Sequence, residues 1–137
     1  MACAETSKPT NIKKGQHTSP ESMEWVVEKH GGDVLLTERG TFFGYGNLVV
    51  DMLGLIKMRK YAPVIFDATH SVQRPLGKTT SGNREWAPIL ARAAMAVGID
   101  GLFMEVHNDP DNAPSDGQNM IRLKDFRCIV ELSLIHI

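Results

Sequence analysis

Ionisable side chains follow four segments of the chain that are otherwise apolar and rich in β-branched residues. The clearest case is residues 64–73, where a Val-Ile-Phe run is followed by Asp, Thr, His and Gln. The carboxyl ends of parallel strands lie on one edge of an α/β domain, and ligands bind there. The sequence therefore predicts that these side chains meet in one site. They are Lys13, Arg39, His70, Glu105 and His107 at strand ends, and Asp116 in the loop after the fourth strand.

Lys13 and Arg39 are candidates for binding an anion at this edge. An arginine offers two parallel donors to a phosphate or a carboxylate, and a lysine offers a compact point charge. Side chains alternate along a strand, so Asn11 and Lys13 share a face and only one of Lys13 and Lys14 points inward. The alternative is a pair of solvated surface cations. The place of Lys13 beside Lys14 and two residues before Gly15 favours binding.

His70, Glu105 and Asp116 offer one imidazole and two carboxylates, a set of ligands that can hold a divalent cation. The competing interpretation is a core histidine bonded to a backbone carbonyl, with Asp116 as a helix cap. Asp67 lies inside an apolar strand, where an unpaired carboxylate is costly. It is therefore either paired for structural reasons or functional, and His107 is open in the same way.

Helices are predicted between the strands. Ser19 can cap the first helix, which begins at Pro20, and the second is expected over residues 48–60 with Gly46 or Asn47 as its cap. The third becomes regular from about Pro88, and residues 120–132 have a weaker helical pattern. The residues predicted to face inward are Met23, Val26, Val27 and His30 in the first helix, Leu48, Met52, Leu55 and Ile56 in the second, and Ile89, Leu90, Ala93 and Val97 in the third.

Strand and helix alternate four times, which predicts an α/β fold with a parallel sheet. Near-continuous apolar strands indicate a parallel sheet that is covered on both faces. Two architectures fit this order, a four-stranded doubly wound sheet and half of a (β/α)8 barrel. A complete barrel needs about 250 residues, and this chain has 137.

Composition narrows the class of protein. The net charge of −1 gives no indication of binding to nucleic acid or to a membrane surface. The apolar runs are as short as strands, so no membrane span is predicted, and residues 1–14 lack the apolar stretch of a signal peptide. Cys3 and Cys128 have no motif around them, which predicts two reduced thiols in a cytoplasmic protein.

Ordered segments of the chain together resemble the 3-deoxy-D-manno-octulosonate 8-phosphate synthase family. The most specific are Asn-Ile-Lys-Lys-Gly-Gln at residues 11–16 and Phe-Asp-Ala-Thr-His-Ser-Val-Gln at residues 66–73. The similarity runs from about residue 4 to residue 123 and corresponds to strands five to eight of the family's barrel. The other segments that carry it are residues 36–40, 43–45, 47–52, 81–85, 90–94, 101–105 and 115–117.

The resemblance implies an α/β chain that is the carboxyl-terminal half, strands five to eight, of a (β/α)8 TIM barrel. Residues 1–125 would be a partial barrel domain, and residues 126–137 a tail outside the family. The family's first four strands carry further lysines, the arabinose 5-phosphate site and, in metal-using members, a cysteine ligand. The chain is therefore expected to be a fragment that is inactive alone, with two open strand edges.

The activity implied is the condensation of phosphoenolpyruvate with D-arabinose 5-phosphate and water. The products are 3-deoxy-D-manno-octulosonate 8-phosphate and phosphate, for the lipopolysaccharide of Gram-negative bacteria. The metal implied is Zn, Fe or Mn, and the full-length enzyme would be a cytoplasmic homotetramer. The implied roles are catalysis by Lys13 and His70, substrate binding by Asn11, Lys13, Arg39 and His70, and metal binding by His70, Glu105 and Asp116.

Two alternatives stay open at this point. The first is an enzyme like 3-deoxy-heptulosonate 7-phosphate synthase, which also uses phosphoenolpyruvate and has similar motifs at its strand ends. The motifs at residues 11–14 and 66–70 favour the octulosonate enzyme. The second is a non-catalytic remnant that only binds a full-length subunit.

Overall fold

A computed structural model describes residues 2–75 and 81–134 of the chain. Its main sheet has four parallel strands, paired in the same order in which they occur in the chain. The pairing places Lys13 beside Thr37, and Thr37 beside Ile65 of the third strand. The carboxyl ends of the strands therefore lie along one edge. The strands are β1 (Thr10–Lys13), β2 (Val34–Glu38), β3 (Val64–Asp67) and β4 (Gly101–Phe103).

The helices pack against one face of this sheet. Right-handed crossovers between strands in sequential order place every connecting helix on the same side. The hydrophobic core agrees with this, because Leu36, Val64 and Phe66 belong to it and alternate with Leu35 and Ile65, which do not. The helices are α1 (Met23–His30), α2 (Met52–Met58), α3 (Ala87–Val97) and α4 (Leu123–Leu134).

The prediction of a sheet covered on both faces does not hold within the described residues, where helices cover one face. A doubly wound sheet reverses its strand order at a switch point, and the helices on either side of that point cover opposite faces. The order β1-β2-β3-β4 contains no reversal. Of the two architectures, the structure agrees with the one in which a sheet winds in a single direction, as it does in the barrel fold.

Two predicted helix starts are too early. Ser19 closes a turn instead of capping α1, because its Oγ accepts a hydrogen bond from the backbone N–H of Ser22 at 3.2 Å. The second helix begins at Met52, after Asp51, and not near Gly46 or Asn47. The reason is that Leu48–Val49 forms an antiparallel pair with Thr41–Phe42, which uses that segment as a strand. Gly31, in the left-handed region at φ 71°, ends α1.

The predicted inner faces of α2 and α3 are only partly correct. Leu55 is buried, whereas Ile56 and Ile89 are 49% and 63% exposed. Helix α3 instead buries its small residues, among them Ala91 and Ala94. Apolar residues surround most of this helix, so the pattern does not select one face. Short alanine side chains then decide which face of α3 is buried, because they allow close approach to α2 and α4.

The fourth strand is shorter than predicted. It leaves the main sheet after Phe103, and Val106–His107 pairs in parallel with Ile121–Arg122 in a separate two-stranded ladder. The chain turns away at Glu105, whose carbonyl accepts the N–H of Ile121 at 2.9 Å. Glu105 therefore stands at the edge of the sheet, and His107 lies beyond it.

Helix α4 is continuous across residue 125, and its Ile129 belongs to the hydrophobic core. The boundary between a barrel domain at residues 1–125 and a tail at residues 126–137 stays a prediction, and residues 135–137 lie outside the described part. Both cysteines are free. None of the helices in the described ranges is long and apolar enough to cross a membrane.

We expect the isolated chain to self-associate. Within residues 2–75 and 81–134, β1 and β4 each pair on one side only, and open strand edges recruit strands from other chains. Size-exclusion chromatography with light scattering should give masses above the 15.2 kDa of one chain. A monodisperse species at the mass of one chain would contradict this expectation.

Candidate functional site

The site lies at the carboxyl edge of the main sheet and is organised around a buried carboxylate. Asp67, the last residue of β3, is fully buried. Its Oδ2 atom accepts hydrogen bonds from Lys13 Nζ at 2.8 Å and from His70 Nδ1 at 2.7 Å. The Lys13 ammonium also lies 4.2 Å from the centre of the Phe103 ring. Lys13 and His70, two of the predicted site residues, therefore meet through Asp67.

His70, Glu105 and Asp116 form the predicted cluster of metal ligands. One ligand atom from each lies within 4.8 Å of the others, and His70 Nε2 is 3.6 Å from a Glu105 carboxylate oxygen. One imidazole and two carboxylates suit zinc, iron or manganese. Three protein ligands also leave coordination positions open, as in catalytic metal sites. The donor set therefore fits a divalent metal.

The backbone of Glu105 is fixed from both sides. Its N–H donates to the hydroxyl of the fully buried Thr69 at 2.8 Å, and its carbonyl accepts from Ile121. Thr69 directly precedes His70, so one turn positions two of the three ligands. This explains why a buried threonine follows the apolar part of residues 64–73.

Asp116 is positioned by its own loop and by a side chain that the sequence did not indicate. Its φ of 50° is in the left-handed region, which lets its carbonyl accept the N–H groups of Asn119 and Met120. Gln73 Nε2 donates to Asp116 Oδ1 at 2.7 Å. Gln73 lies three residues after His70, and its position in the same polar stretch was the only available signal.

Arg84 clamps the loop that carries Asp116. Its guanidinium forms an ion pair with Asp111 and donates to the carbonyl of Gly117 at 2.7 Å. Arg122 pairs with the other oxygen of Asp111. A Cβ atom on Gly117 would come within 2.3 Å of the Pro110 carbonyl, so the loop is packed closely on itself. Sequence patterns alone contained no sign of this network.

The remaining predicted site residues are less tightly connected. Asn11 accepts a hydrogen bond from the Thr37 hydroxyl at 2.5 Å. Arg39 directly follows β2, is half-buried, and has a buried Nε without a hydrogen-bond partner among the described residues. His107 accepts the N–H of Asp109 and does not belong to the metal-ligand cluster.

Charge at the site is set by burial and by hydrogen bonds. Burial opposes ionisation of Asp67, but hydrogen bonds from the side chain and backbone of His70 and from Lys13 outweigh it. They hold the pKa of Asp67 below its ordinary value. The group is therefore an acceptor-only carboxylate at neutral pH.

A second buried ion pair lies one residue away on the opposite face of the sheet. Lys14 is 1% exposed, and its Nζ is 3.5 Å from Glu38 Oε2 and 2.9 Å from the Thr41 hydroxyl. Glu38 also accepts the N–H of Gly40 at 2.7 Å. Burial raises the pKa of Glu38, and Lys14 opposes that rise. Lys14 is thus the inward lysine, and Lys13 stays at the edge with 35% of its side chain exposed.

We expect Lys14→Met to cost about 3–5 kcal/mol in the free energy of unfolding, because it leaves the Glu38 charge buried without a partner. Glu38 has a raised pKa in the folded state, so the penalty should shrink as the pH falls through that pKa and Glu38 takes up a proton. Denaturant titrations between pH 4 and pH 8, about the range in which carboxyl groups with raised pKa values titrate, measure both effects.

The matched control is Lys57→Met, which breaks the exposed pair of Lys57 with Glu21 at 2.8 Å. Water screens the charges of an exposed pair, so this change should have little effect on the free energy of unfolding. Adding Glu38→Gln to Lys14→Met should recover most of the loss. Equal losses in the free energy of unfolding for the two lysine substitutions would show that the buried pair stabilises the fold no more than the exposed pair does.

The chain is similar to known proteins along almost its whole length. Residues 1–134 match the model of the DAHP synthetase I family. The 2-dehydro-3-deoxyphosphooctonate aldolase of Rhodopseudomonas palustris (strain TIE-1) is 55% identical, over 96% of this chain and 48% of the relative. The proteins of that name from Rickettsia bellii (strain OSU 85-389) and Fusobacterium nucleatum are 56% and 50% identical, over 95% and 98% of this chain and 50% and 51% of the relatives.

The chain spans about half the length of the curated relatives that it matches. The match to the family model, by contrast, covers the chain almost from end to end. It includes β1 to β4, the buried Asp67 and the clustered side chains of His70, Glu105 and Asp116. The chain therefore belongs to the DAHP synthetase I family.

Proposed function

We propose that this chain provides the phosphoenolpyruvate- and metal-binding part of a 3-deoxy-D-manno-octulosonate 8-phosphate synthase. The observation that carries the proposal is that one buried carboxylate, Asp67, joins the Lys13 cation to the imidazole of a three-ligand cluster. Such an edge can hold an anionic substrate directly beside a divalent ion. The relatives share the name of an octulosonate enzyme, which supports this assignment.

We further propose that β1 to β4 are strands five to eight of a (β/α)8 barrel. The sequential parallel order and the helices on one face support this. The opposite face, which includes Lys13, Asp67 and Phe103, would then point toward the barrel interior. A barrel enzyme builds its site at the carboxyl ends of its strands, which is where these side chains stand.

The proposed reaction joins C3 of phosphoenolpyruvate to the aldehyde carbon of arabinose 5-phosphate. Water adds at C2, inorganic phosphate leaves, and C2 becomes the ketone of the product. The two protons of the water pass to the new hydroxyl and to the departing phosphate. Negative charge is redistributed in each of these steps, so fixed cations close to the reacting atoms lower the barrier.

Lys13 and Arg39 are the proposed ligands of the phosphate and carboxylate of phosphoenolpyruvate. Asp67 holds the Lys13 ammonium in place. The buried Nε of Arg39 has no hydrogen-bond partner among the described residues, so it is available to bond the substrate. Asn11 would complete the substrate contacts from β1. His70 would contact the phosphate as well, and we propose Lys13 and His70 as the catalytic residues.

His70, Glu105 and Asp116 are the proposed ligands of a zinc, iron or manganese ion. A bound ion would polarise the aldehyde or orient the attacking water. The residues around the ligands favour this assignment, because Gln73 orients Asp116 and Thr69 fixes the backbone of Glu105.

The full enzyme is proposed to be a cytoplasmic homotetramer. A heptulosonate 7-phosphate synthase, or a non-catalytic remnant that binds a complete subunit, remains the alternative.

A joined protein tests the activity. In it, the amino-terminal half of the Rhodopseudomonas palustris relative precedes this chain. We expect it to release phosphate from phosphoenolpyruvate with arabinose 5-phosphate, whereas the chain alone should be inactive. Turnover with erythrose 4-phosphate instead would favour the heptulosonate alternative. No turnover with either sugar, from a folded joined protein, would favour the remnant.

Metal binding gives a test that does not depend on turnover. We expect the joined protein, stripped with a chelator, to take up one Zn²⁺ or Mn²⁺ per chain in calorimetric titration. Glu105→Gln should lower the metal affinity by at least about 10–100-fold, because loss of a group that only supports a metal ligand already has an effect of this size. Glu85→Gln, an exposed change outside the cluster, is the matched control. The same affinity in all three proteins would refute the ligand assignment.

A further inference from the structure

We infer that Asp67 is a positioning residue that couples the substrate cation Lys13 to the metal ligand His70. The inference rests on the proposed function, and it assigns a role to Asp67, which the sequence left open between structural pairing and function. It concerns how one side chain sets the orientation of two others. The carboxylate itself is fully buried, so it contacts neither substrate nor solvent.

The two oxygens of Asp67 have different partners. Oδ1 accepts the backbone N–H groups of Thr69 at 3.1 Å and of His70 at 2.9 Å, which holds the turn that follows β3. Oδ2 accepts the side chains of Lys13 at 2.8 Å and of His70 at 2.7 Å. One oxygen therefore shapes the backbone, and the other connects the two functional groups.

The contact with Oδ2 fixes the tautomer of His70. An ionised carboxylate can only accept, so the proton of a neutral imidazole must be on Nδ1. The lone pair is then on Nε2, the atom 3.6 Å from Glu105 and inside the ligand cluster. Carboxylates that bond the outer nitrogen of a metal-binding histidine orient the ring in this way and raise its basicity.

The same oxygen anchors the Lys13 ammonium. His70 Nδ1 is 3.5 Å from Lys13 Nζ, but a protonated Nδ1 cannot accept a hydrogen bond from the lysine. Asp67 is therefore the group that holds the ammonium at the edge, over the ring of Phe103. With 35% of its side chain exposed, Lys13 remains open to an anion. Loss of this one oxygen as an acceptor would therefore displace both Lys13 and His70.

Asp67→Asn separates the structural role from the positioning role. The asparagine keeps an oxygen that can accept from the N–H groups of Thr69 and His70, so the turn can be retained. At the other position it presents an NH₂ group, which can only donate. That group would bond the Nδ1 lone pair, force the proton onto Nε2 and turn a donor toward the metal site. It would also repel the ammonium of Lys13.

The experiment uses the joined protein and three measurements. Calorimetric titration with Zn²⁺ alone should show about 10–100-fold weaker binding in Asp67→Asn. Solid-state ¹⁵N NMR of the metal-free sediment should show His70 protonated on Nδ1 in the unchanged protein and on Nε2 in the variant. Steady-state kinetics should show a higher KM for phosphoenolpyruvate with little change for arabinose 5-phosphate. His70→Gln identifies the His70 signals in the spectra.

The matched control is Asp100→Asn, directly before β4, whose carboxylate bonds to the amino-terminal end of β3. Asp100 also accepts a backbone N–H, from Val64 at 2.8 Å, and an arginine, Arg59, at 3.1 Å. A purely structural effect of losing a carboxylate should therefore appear there too. We expect Asp100→Asn to lower the melting temperature and to leave Zn²⁺ affinity and the His70 tautomer unchanged.

Several results would overturn the inference. One is unchanged Zn²⁺ affinity together with an unchanged tautomer in a folded Asp67→Asn variant. Another is a His70 that carries its proton on Nε2 in the unchanged protein, a measurement that decides the matter even if the variant fails to fold. Failure of the proposed function would appear differently, as an unchanged joined protein that binds Zn²⁺ but converts neither sugar phosphate.

Discussion

A carboxylate that is removed from water must be compensated by donors, and this constraint at Asp67 determines the arrangement around it. Its donors come from the end of β1 and from the turn after β3. Strands β1 and β3 are not neighbours, because β2 lies between them. Two strand spacings amount to about 10 Å, a gap that the long side chain of Lys13 helps to bridge. The Lys13–Asp67 contact therefore links the two strands on either side of β2 at the edge that carries the site.

Alternation along β1 gives two adjacent lysines different tasks. Lys14 points to the helix side and is paired with Glu38, inside the protein, where it also binds carbonyls of the following turn. Lys13 points to the opposite face and is paired with Asp67 at the edge. The Lys14–Glu38 pair holds the ends of β1 and β2 together where they leave the sheet. The Lys13–Asp67 pair can therefore present a partly exposed cation at the edge. A single-residue shift in this strand would exchange these environments.

The sequence was informative where chemistry and strand ends coincide. The positions of β1 to β3 and the grouping of His70, Glu105 and Asp116 could be predicted, because polar residues that follow apolar strands collect at the ligand-binding edge of a parallel sheet. Helix faces were less predictable, since α3 is apolar on most sides and only packing decides that Ile89 is exposed. Gln73 and Arg84 were missed because their partners lie in a distant loop, and no local pattern encodes such contacts.

The arrangement of helices bears on what this chain can do alone. The described helices cover one face of the sheet, and the site opens onto the other. Under the proposed function, the metal ligands and the cations for one substrate come from this chain. Under the same proposal, the walls that hold the second substrate and exclude water would belong to the part of the relatives that the chain does not match. Under that proposal, a metal and phosphoenolpyruvate would bind to side chains of this chain, whereas condensation would also need an enclosed site. Binding and turnover are therefore physically separable here, and the same edge can identify the family without supporting catalysis.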